Sequence, residues 1–321
     1  PSVPPEVVRV AFLVIVAGVA YWGIQASSVT NVICTLIEIT GLLVVIVVAL
    51  PYFGKVNYLD FDPGDIGEAT TGLPLMAILS GGVLAFYAFI GFEDLANVAE
   101  EVKDARRILP RAIIIALLVA AVFYGLVAIA AVSVVPHDQL TDQQAKGPLL
   151  LVVKIAAPNF PVGIFSIIAL FAVTNTALVN FVMGSRLIYG MSRQRLVPEV
   201  LGRVHPKRAT PHAAIILILV VTLVLTLSLK KATLAGTTSF ILLVVFFVVN
   251  VSLVIIKRRK DPADEGVLQV PLVVPILGAV TTVVLALAVK PKALISFCIL
   301  APAGIVVYLL YRLLSPARGS E

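Results

Sequence analysis

Residues 80–97 read Ser80-Gly-Gly-Val-Leu-Ala-Phe-Tyr-Ala-Phe-Ile-Gly-Phe-Glu-Asp-Leu-Ala-Asn97. An apolar half gives way at Gly91 to Glu93, Asp94 and Asn97, with Glu100 and Glu101 close behind. A helix needs about 20 residues to cross the hydrocarbon of a bilayer. Counted from Leu75 that length reaches Asp94, so the acids stay at membrane depth unless the helix is interrupted. An interruption at Gly91 exposes carbonyls at the end of the first half and amides at the start of the second, and these bind cations and anions respectively. A span that simply ends near Phe92 is the plainer alternative. The pattern predicts a broken helix inside a membrane.

The rest of the chain has the composition of a membrane protein. Of 321 residues 60% are hydrophobic and only 13% charged, against about 25% charged in soluble domains. So much apolar surface cannot be hidden in a soluble globule, and a disordered or nucleic-acid-binding chain would need more charge. Nine apolar runs are candidate spans: Val10 to Ile24, Val32 to Leu50, Leu75 to Ala96, Ala112 to Val135, Val162 to Gly190, Ala213 to Leu229, Leu234 to Ile256, Leu272 to Val289 and Ala293 to Leu310. The first is short and crowded by Arg9. Hydrophobicity nearly continuous around each run favours a helix bundle in lipid, and the run lengths exclude a barrel.

Orientation follows from the 24 Lys and Arg, because cytoplasmic loops collect positive charge. Fifteen fall on one side: Lys103, Arg106, Arg107, Arg111, Arg193, Arg195, Arg203, Lys207, Arg208, Lys257, Arg258, Arg259, Lys260, Arg312 and Arg318. Eight fall on the other, and Arg186 lies within the fifth span. The C-terminus is thus expected in the cytoplasm, and an odd number of spans puts Pro1 outside. The start without Met, and a first run without a small-residue cleavage signature, read as a truncated chain rather than a signal peptide. The net charge of +6 needs no nucleic-acid partner, because the membrane rule accounts for the basic loops.

Among the loops, 51–74 carries Asp60, Asp62, Asp65 and Glu68 among glycines and prolines, without a calcium-loop spacing, and reads as a solvated external linker. Pro148 to Ala157 is too short to span and reads as an interfacial or lid-like helix. Charge inside a span costs several kcal/mol unless it faces protein or water. Glu38, a third of the way along the second span, is therefore a candidate proton or cation site. A structural carboxyl bonded to one hydroxyl is the bland alternative. In the fifth span Thr174, Asn175, Thr176, Asn180, Gly184, Ser185 and Arg186 are polar or small, and Thr176, Asn180 and Gly184 recur every four residues on one face. That face reads equally as close helix packing or a solute pathway. Asn250 and Ser252 read as packing groups.

Enzymatic patterns are missing from the sequence. His137, His205 and His212 fall in loops without metal-ligand spacing. There is no Gly-x-Ser-x-Gly elbow, phosphate loop with Lys or membrane aspartyl pair. Cys34 and Cys298 lie in apolar runs and read as buried hydrophobes, so neither cofactor nor metal is expected.

The run Ala88 to Ala112 strongly resembles the sixth helix and following cytoplasmic loop of the amino acid/polyamine/organocation (APC) permeases. Gly184-Ser-Arg-Leu-Ile-Tyr-Gly-Met-Ser-Arg193 with Leu196-Val-Pro198 and His205 to Pro211 resembles their eighth helix and its loop, and Val254 to Arg259 the basic end of the tenth. The likeness covers essentially the whole chain. It implies an all-α membrane protein of the LeuT-like inverted-repeat fold, with nine spans corresponding to family helices 4 to 12 and the first three absent. Residues 1–51 would then end the first repeat, 74–260 form the second five-helix repeat and 271–313 the last two helices.

The implied function is secondary transport of an amino acid across the cell membrane by alternating access, coupled to protons or sodium or running as exchange. A polyamine or organic-cation carrier, or a transport-inactive subunit or sensor, is the alternative. In that family the sixth helix unwinds near Phe89-Ile90-Gly91-Phe92 and its carbonyls receive the substrate ammonium. Tyr87 would cap the site; Glu93 at the polarity change and Thr176 and Asn180 on the polar face of the fifth span, read from the residues themselves, join the candidate substrate set. Glu38 stands where many relatives carry Lys, which unsettles the identity of the coupling ion. Arg193-Gln194-Arg195 replaces a frequent Arg-Asp-Gly.

Overall fold

Proline marks the start of four apolar helices, where its missing N–H costs no hydrogen bond and its fixed φ suits the first turn. In the computed structural model these are α1 (Pro5–Trp22), α3 (Pro74–Ala88), the short α6 (Pro148–Ala156) and α11 (Pro291–Leu314). The others are α2 (Ser28–Ala49), the one-turn α4 (Asp94–Asn97), α5 (Ala105–Val134), α7 (Val162–Arg193), α8 (His212–Ser228), α9 (Lys231–Arg259) and α10 (Val273–Leu287). The structure describes residues 4–23, 28–58, 74–97, 99, 102–136, 139–140, 147–206, 208, 210–259 and 268–314. Among them the chain is helical with connecting turns and contains no strand. Among the described residues six helices are long and apolar enough to cross a membrane, and three shorter apolar ones accompany them.

Every expected span contains a helix, but the ends differ for physical reasons. Helix α1 begins at Pro5, before the expected Val10, because Glu6 and Arg9 pair across one turn at 3.5 Å and carry charge within the helix. Helix α5 starts at Ala105 and carries Arg106, Arg107 and Arg111 ahead of its apolar run. Helix α7, at 32 residues, is about 48 Å long at 1.5 Å per residue and overreaches the bilayer core. Helix α9 ends in Lys257, Arg258 and Arg259, where positive charge complements the helix dipole.

The chain divides into two compact units. One comprises Pro1–Asp60, Ile115–Arg186 and Arg203–Leu219. Its main core gathers Val45, Ala49, Ala130, Val134, Val152, Val153 and Phe165, with α6 packed on α2. A second cluster joins Val16, Ala17 and Ala20 of α1 to Phe181 and Ile215. Gly41 faces Ile168 and Gly184 faces Ile218, so the small residues mark close helix approaches.

The other unit comprises Phe61–Ile114, Leu187–Gly202 and Val220–Glu321. Here α9 packs on α3, α10 and α11 around Val83, Leu243, Val289 and Ala293. Small hydroxyls tie these helices together: Ser239 donates to the Val83 carbonyl at 3.3 Å and Ser80 to that of Ala288 at 3.4 Å. Asn250 lies against Gly278 and donates to the Phe246 carbonyl at 2.8 Å, which fits a packing role.

Helix α7 ends in a Schellman cap. Leu196 N–H reaches the Met191 carbonyl at 2.9 Å, Arg195 N–H reaches that of Ser192 at 3.0 Å, and Arg195 is left-handed at φ 58°. Glycine fits that position without penalty, and glycine is what the frequent Arg-Asp-Gly would place there. Arg195→Gly is therefore expected to stabilise the protein by about 1 kcal/mol. A melting temperature in detergent that fails to rise counts against this.

Candidate functional site

The interruption in the third span is where the sequence puts it. Helix α3 stops at Ala88, residues 89–93 form turns, and α4 resumes at Asp94. The last turn tightens to three-residue bonds, Phe89 N–H to the Phe86 carbonyl at 3.1 Å and Ile90 N–H to that of Tyr87 at 3.2 Å. Gly91 then adopts φ 121°, a conformation closed to most side chains. Its N–H donates to Glu93 Oε2 at 2.8 Å, and its carbonyl accepts from Asp94 N–H at 3.2 Å. Each such carbonyl retains a second lone pair. A Cβ added to Gly91 would meet nothing within 4 Å, so open space adjoins the break.

Aromatic rings hold the break from one side. Phe246 of α9 stacks on Phe92 with centroids 5.4 Å apart and meets Phe86 edge to face at 5.9 Å. It thus contacts both the last turn of α3 and the unwound segment. Nothing in the run Val244 to Val249 singles out Phe246 beforehand, because the contact is long range. Tyr87 is exposed, while Phe89, Ile90, Phe92 and Glu93 are half-buried.

Glu38 in α2 is half-buried, and Asn175 of α7 donates from Nδ2 to its Oε1 at 3.0 Å. The partner is an amide, not the hydroxyl of the bland alternative: nearby Thr40 and Thr174 both bond back to their own helices, to the Leu36 and Leu170 carbonyls. Gly41, one turn on, lets the two helices close at Ile168. Thr176 and Asn180 are exposed, and Gly184 on their face packs against Ile218. Asn175 is a polar residue in the sequence, but the four-residue period of Thr176, Asn180 and Gly184 marks the neighbouring face.

His205 and His212 meet with ring centroids 6.2 Å apart, and the His205 N–H donates to the Thr210 carbonyl at 2.9 Å. Among the described residues no group of three metal-ligating side chains forms. Asp60, Asp62, Asp65, Glu68, Glu100, Glu101, His137, Lys146, Lys207, Lys260 and Arg318 lie outside the described residues.

Comparison with known proteins gives one consistent picture. Residues 6–314 match the family model described as amino acid permease. The chain is 30% identical over 305 residues to the branched-chain amino acid permease BcaP of Bacillus subtilis, covering 94% of this chain and 63% of that one. It is 27% identical over 301 residues to the methylthioribose transporter of the same organism, covering 93% and 62%. A third relative, the chloroplastic cationic amino acid transporter 9 of Arabidopsis thaliana, is 30% identical over 184 residues, covering 57% of this chain and 30% of that one. The chain thus spans less than two thirds of the length of these relatives.

Proposed function

We propose that this chain, which belongs to the amino acid permease family, forms the greater part of a secondary transporter that carries an amino acid across the cell membrane by alternating access. The observation that carries the reading is the break at Gly91 within an otherwise apolar helix. Irregular backbone at membrane depth is tolerated where it lines a cavity or binds a solute. The carbonyls of Phe89 to Phe92 receive the ammonium, Tyr87 covers it, and Glu93 supplies negative charge at the break. On α7, Thr176 and Asn180 line the solute pathway. Glu38, held by Asn175, takes the coupling proton or sodium ion. Within this reading, 1–51 end a first repeat, 74–260 make the second and 271–313 follow it. Catalysis of covalent chemistry is not part of this family's work.

The relatives named for branched-chain and cationic amino acids support an amino acid substrate. The Glu93 carboxylate beside the break favours, as second reading, a polyamine or other organic cation. A counterflow assay in proteoliposomes separates the two. Labelled leucine or arginine entering against its own unlabelled pool supports the first reading. Exchange of spermidine with neither amino acid supports the second, and exchange of none of the three overturns transport.

The C-terminus and the loops at Lys103 and Lys207 are cytoplasmic in this reading, and the loop at Asp62 is external. The charge distribution supports it, and the contacts of Tyr21 and Trp22 with Thr210 and Arg208 fit the alternation of spans that puts the α1 end and this loop on one side. Cysteine labelling in intact cells that modifies position 103 but not 62 reverses the orientation.

A further inference from the structure

The C-terminal end of α1 carries a cation that the transport cycle does not use. Gly23 closes α1 in the left-handed conformation, and the backbone of Arg208 lies so near that a Cβ on Gly23 would stand 3.0 Å from the Arg208 carbonyl. Thr210 Oγ1 donates to the Tyr21 carbonyl at 3.2 Å. These contacts fix Arg208, whose guanidinium carbon sits 4.2 Å from the Trp22 ring centroid and 5.5 Å from that of Tyr21. His205 and His212 pack edge-on against the same Tyr21 ring. The surroundings are basic, with Arg203 exposed nearby in sequence. Among the described residues no carboxylate lies within ion-pair distance of Arg208.

We propose that Arg208, clamped on Trp22 and Tyr21, forms a binding site for the phosphate of an anionic phospholipid. A guanidinium whose face rests on aromatic rings keeps its in-plane N–H fork, which matches two phosphate oxygens. The rings remove the entropy cost of ordering the side chain and add a cation–π attraction. A lipid headgroup is the source that the location selects. Trp22 ends a spanning helix and is 66% exposed, and tryptophan at such ends lies at headgroup depth. Basic groups there attract anionic lipids. The inference needs only that α1 spans the membrane and is independent of what the protein carries.

Trp22 is the chain's single tryptophan, so its fluorescence reports the site directly. The protein is reconstituted into phosphatidylcholine bilayers containing either brominated phosphatidylglycerol or brominated phosphatidylcholine at equal mole fraction, and quenching of Trp22 is compared. Brominated phosphatidylglycerol is expected to win the contact position with roughly fivefold preference. Arg208→Gln should bring the preference to parity, Arg208→Lys should lose most of it, and Arg312→Gln, a charge removed elsewhere, should leave it intact. A far-ultraviolet circular dichroism spectrum and melting temperature matching those of the unmodified protein verify that each variant is folded. Equal quenching by the two lipids in the unmodified protein overturns the proposal. So does an undiminished preference in Arg208→Lys, which assigns the effect to diffuse charge. Abolition of the preference by inorganic phosphate at constant ionic strength assigns the site to a free anion and overturns its lipid character.

Discussion

Glu38→Gln is expected to leave the protein folded and exchanging solute while uncoupling net uptake from the ion gradient. Asn175 donates to Glu38 Oε1 at 3.0 Å, and the amide oxygen of Gln accepts the same bond in the same place. What disappears is the carboxylate to which the proposed function assigns the coupling ion. Its neighbours Ile37, Ile39 and Leu42 bring no counter-charge, and within the proposed function this carboxyl, in the seam between α2 and α7, is the group assigned to the ion. Linked ion and solute binding carries about 1–3 kcal/mol, a factor of roughly 5 to 150 in affinity, so the ion should no longer tighten solute binding by that factor in the variant, and gradient-driven uptake should fall relative to exchange. The measurement is uptake under separate proton and sodium gradients in proteoliposomes of the full-length protein. Asn175→Leu tests the same pair from the other side. It strands the Glu38 carboxyl without its donor and should destabilise by about 1–3 kcal/mol. Gradient-driven uptake that survives Glu38→Gln unchanged gives Glu38 a structural role and moves coupling to Glu93 or elsewhere.

The contrast between Glu38 and its partner shows what a sequence of this kind reveals. Helices were legible because lipid offers the backbone no hydrogen bonds, so each apolar run of sufficient length must bond within itself. The break was legible for the same reason: polarity changing at Gly91 in mid-span has few structural solutions. Boundaries were less so, since Glu6 with Arg9, or Arg106 with Arg107, continue a helix beyond the hydrocarbon where hydropathy goes silent. Side-chain partners were the least legible. Asn175 and Thr176 differ by one position and about 100° of helix rotation, and only the neighbour across the seam decides which faces Glu38. Phe246 and the meeting of His205 with His212 depend on contacts far along the chain, which no periodicity encodes. The left-handed Arg195 was present as a departure from Arg-Asp-Gly, but its meaning needed the backbone angle.

Gly91→Leu is expected to weaken substrate binding far more than folding, and comparison with Gly91→Ala shows why. At φ 121° any side chain strains the backbone, by about 1–3 kcal/mol. Since a Cβ there meets nothing within 4 Å, alanine and leucine should lose nearly the same stability, because neither collides with the protein. The open space is what the proposed function assigns to the ligand. Alanine intrudes on it by one methyl, leucine by a branched chain that reaches over the turn at Phe89 to Phe92. Affinity should therefore drop at least tenfold further in Gly91→Leu than in Gly91→Ala, about 1.4 kcal/mol or more, while their melting temperatures coincide. Separate measurements of substrate-induced thermal stabilisation and of unliganded melting distinguish the two effects. If leucine and alanine variants bind equally well, the space beside Gly91 is not where the solute sits. If both bind like the unmodified protein, the break serves the fold alone.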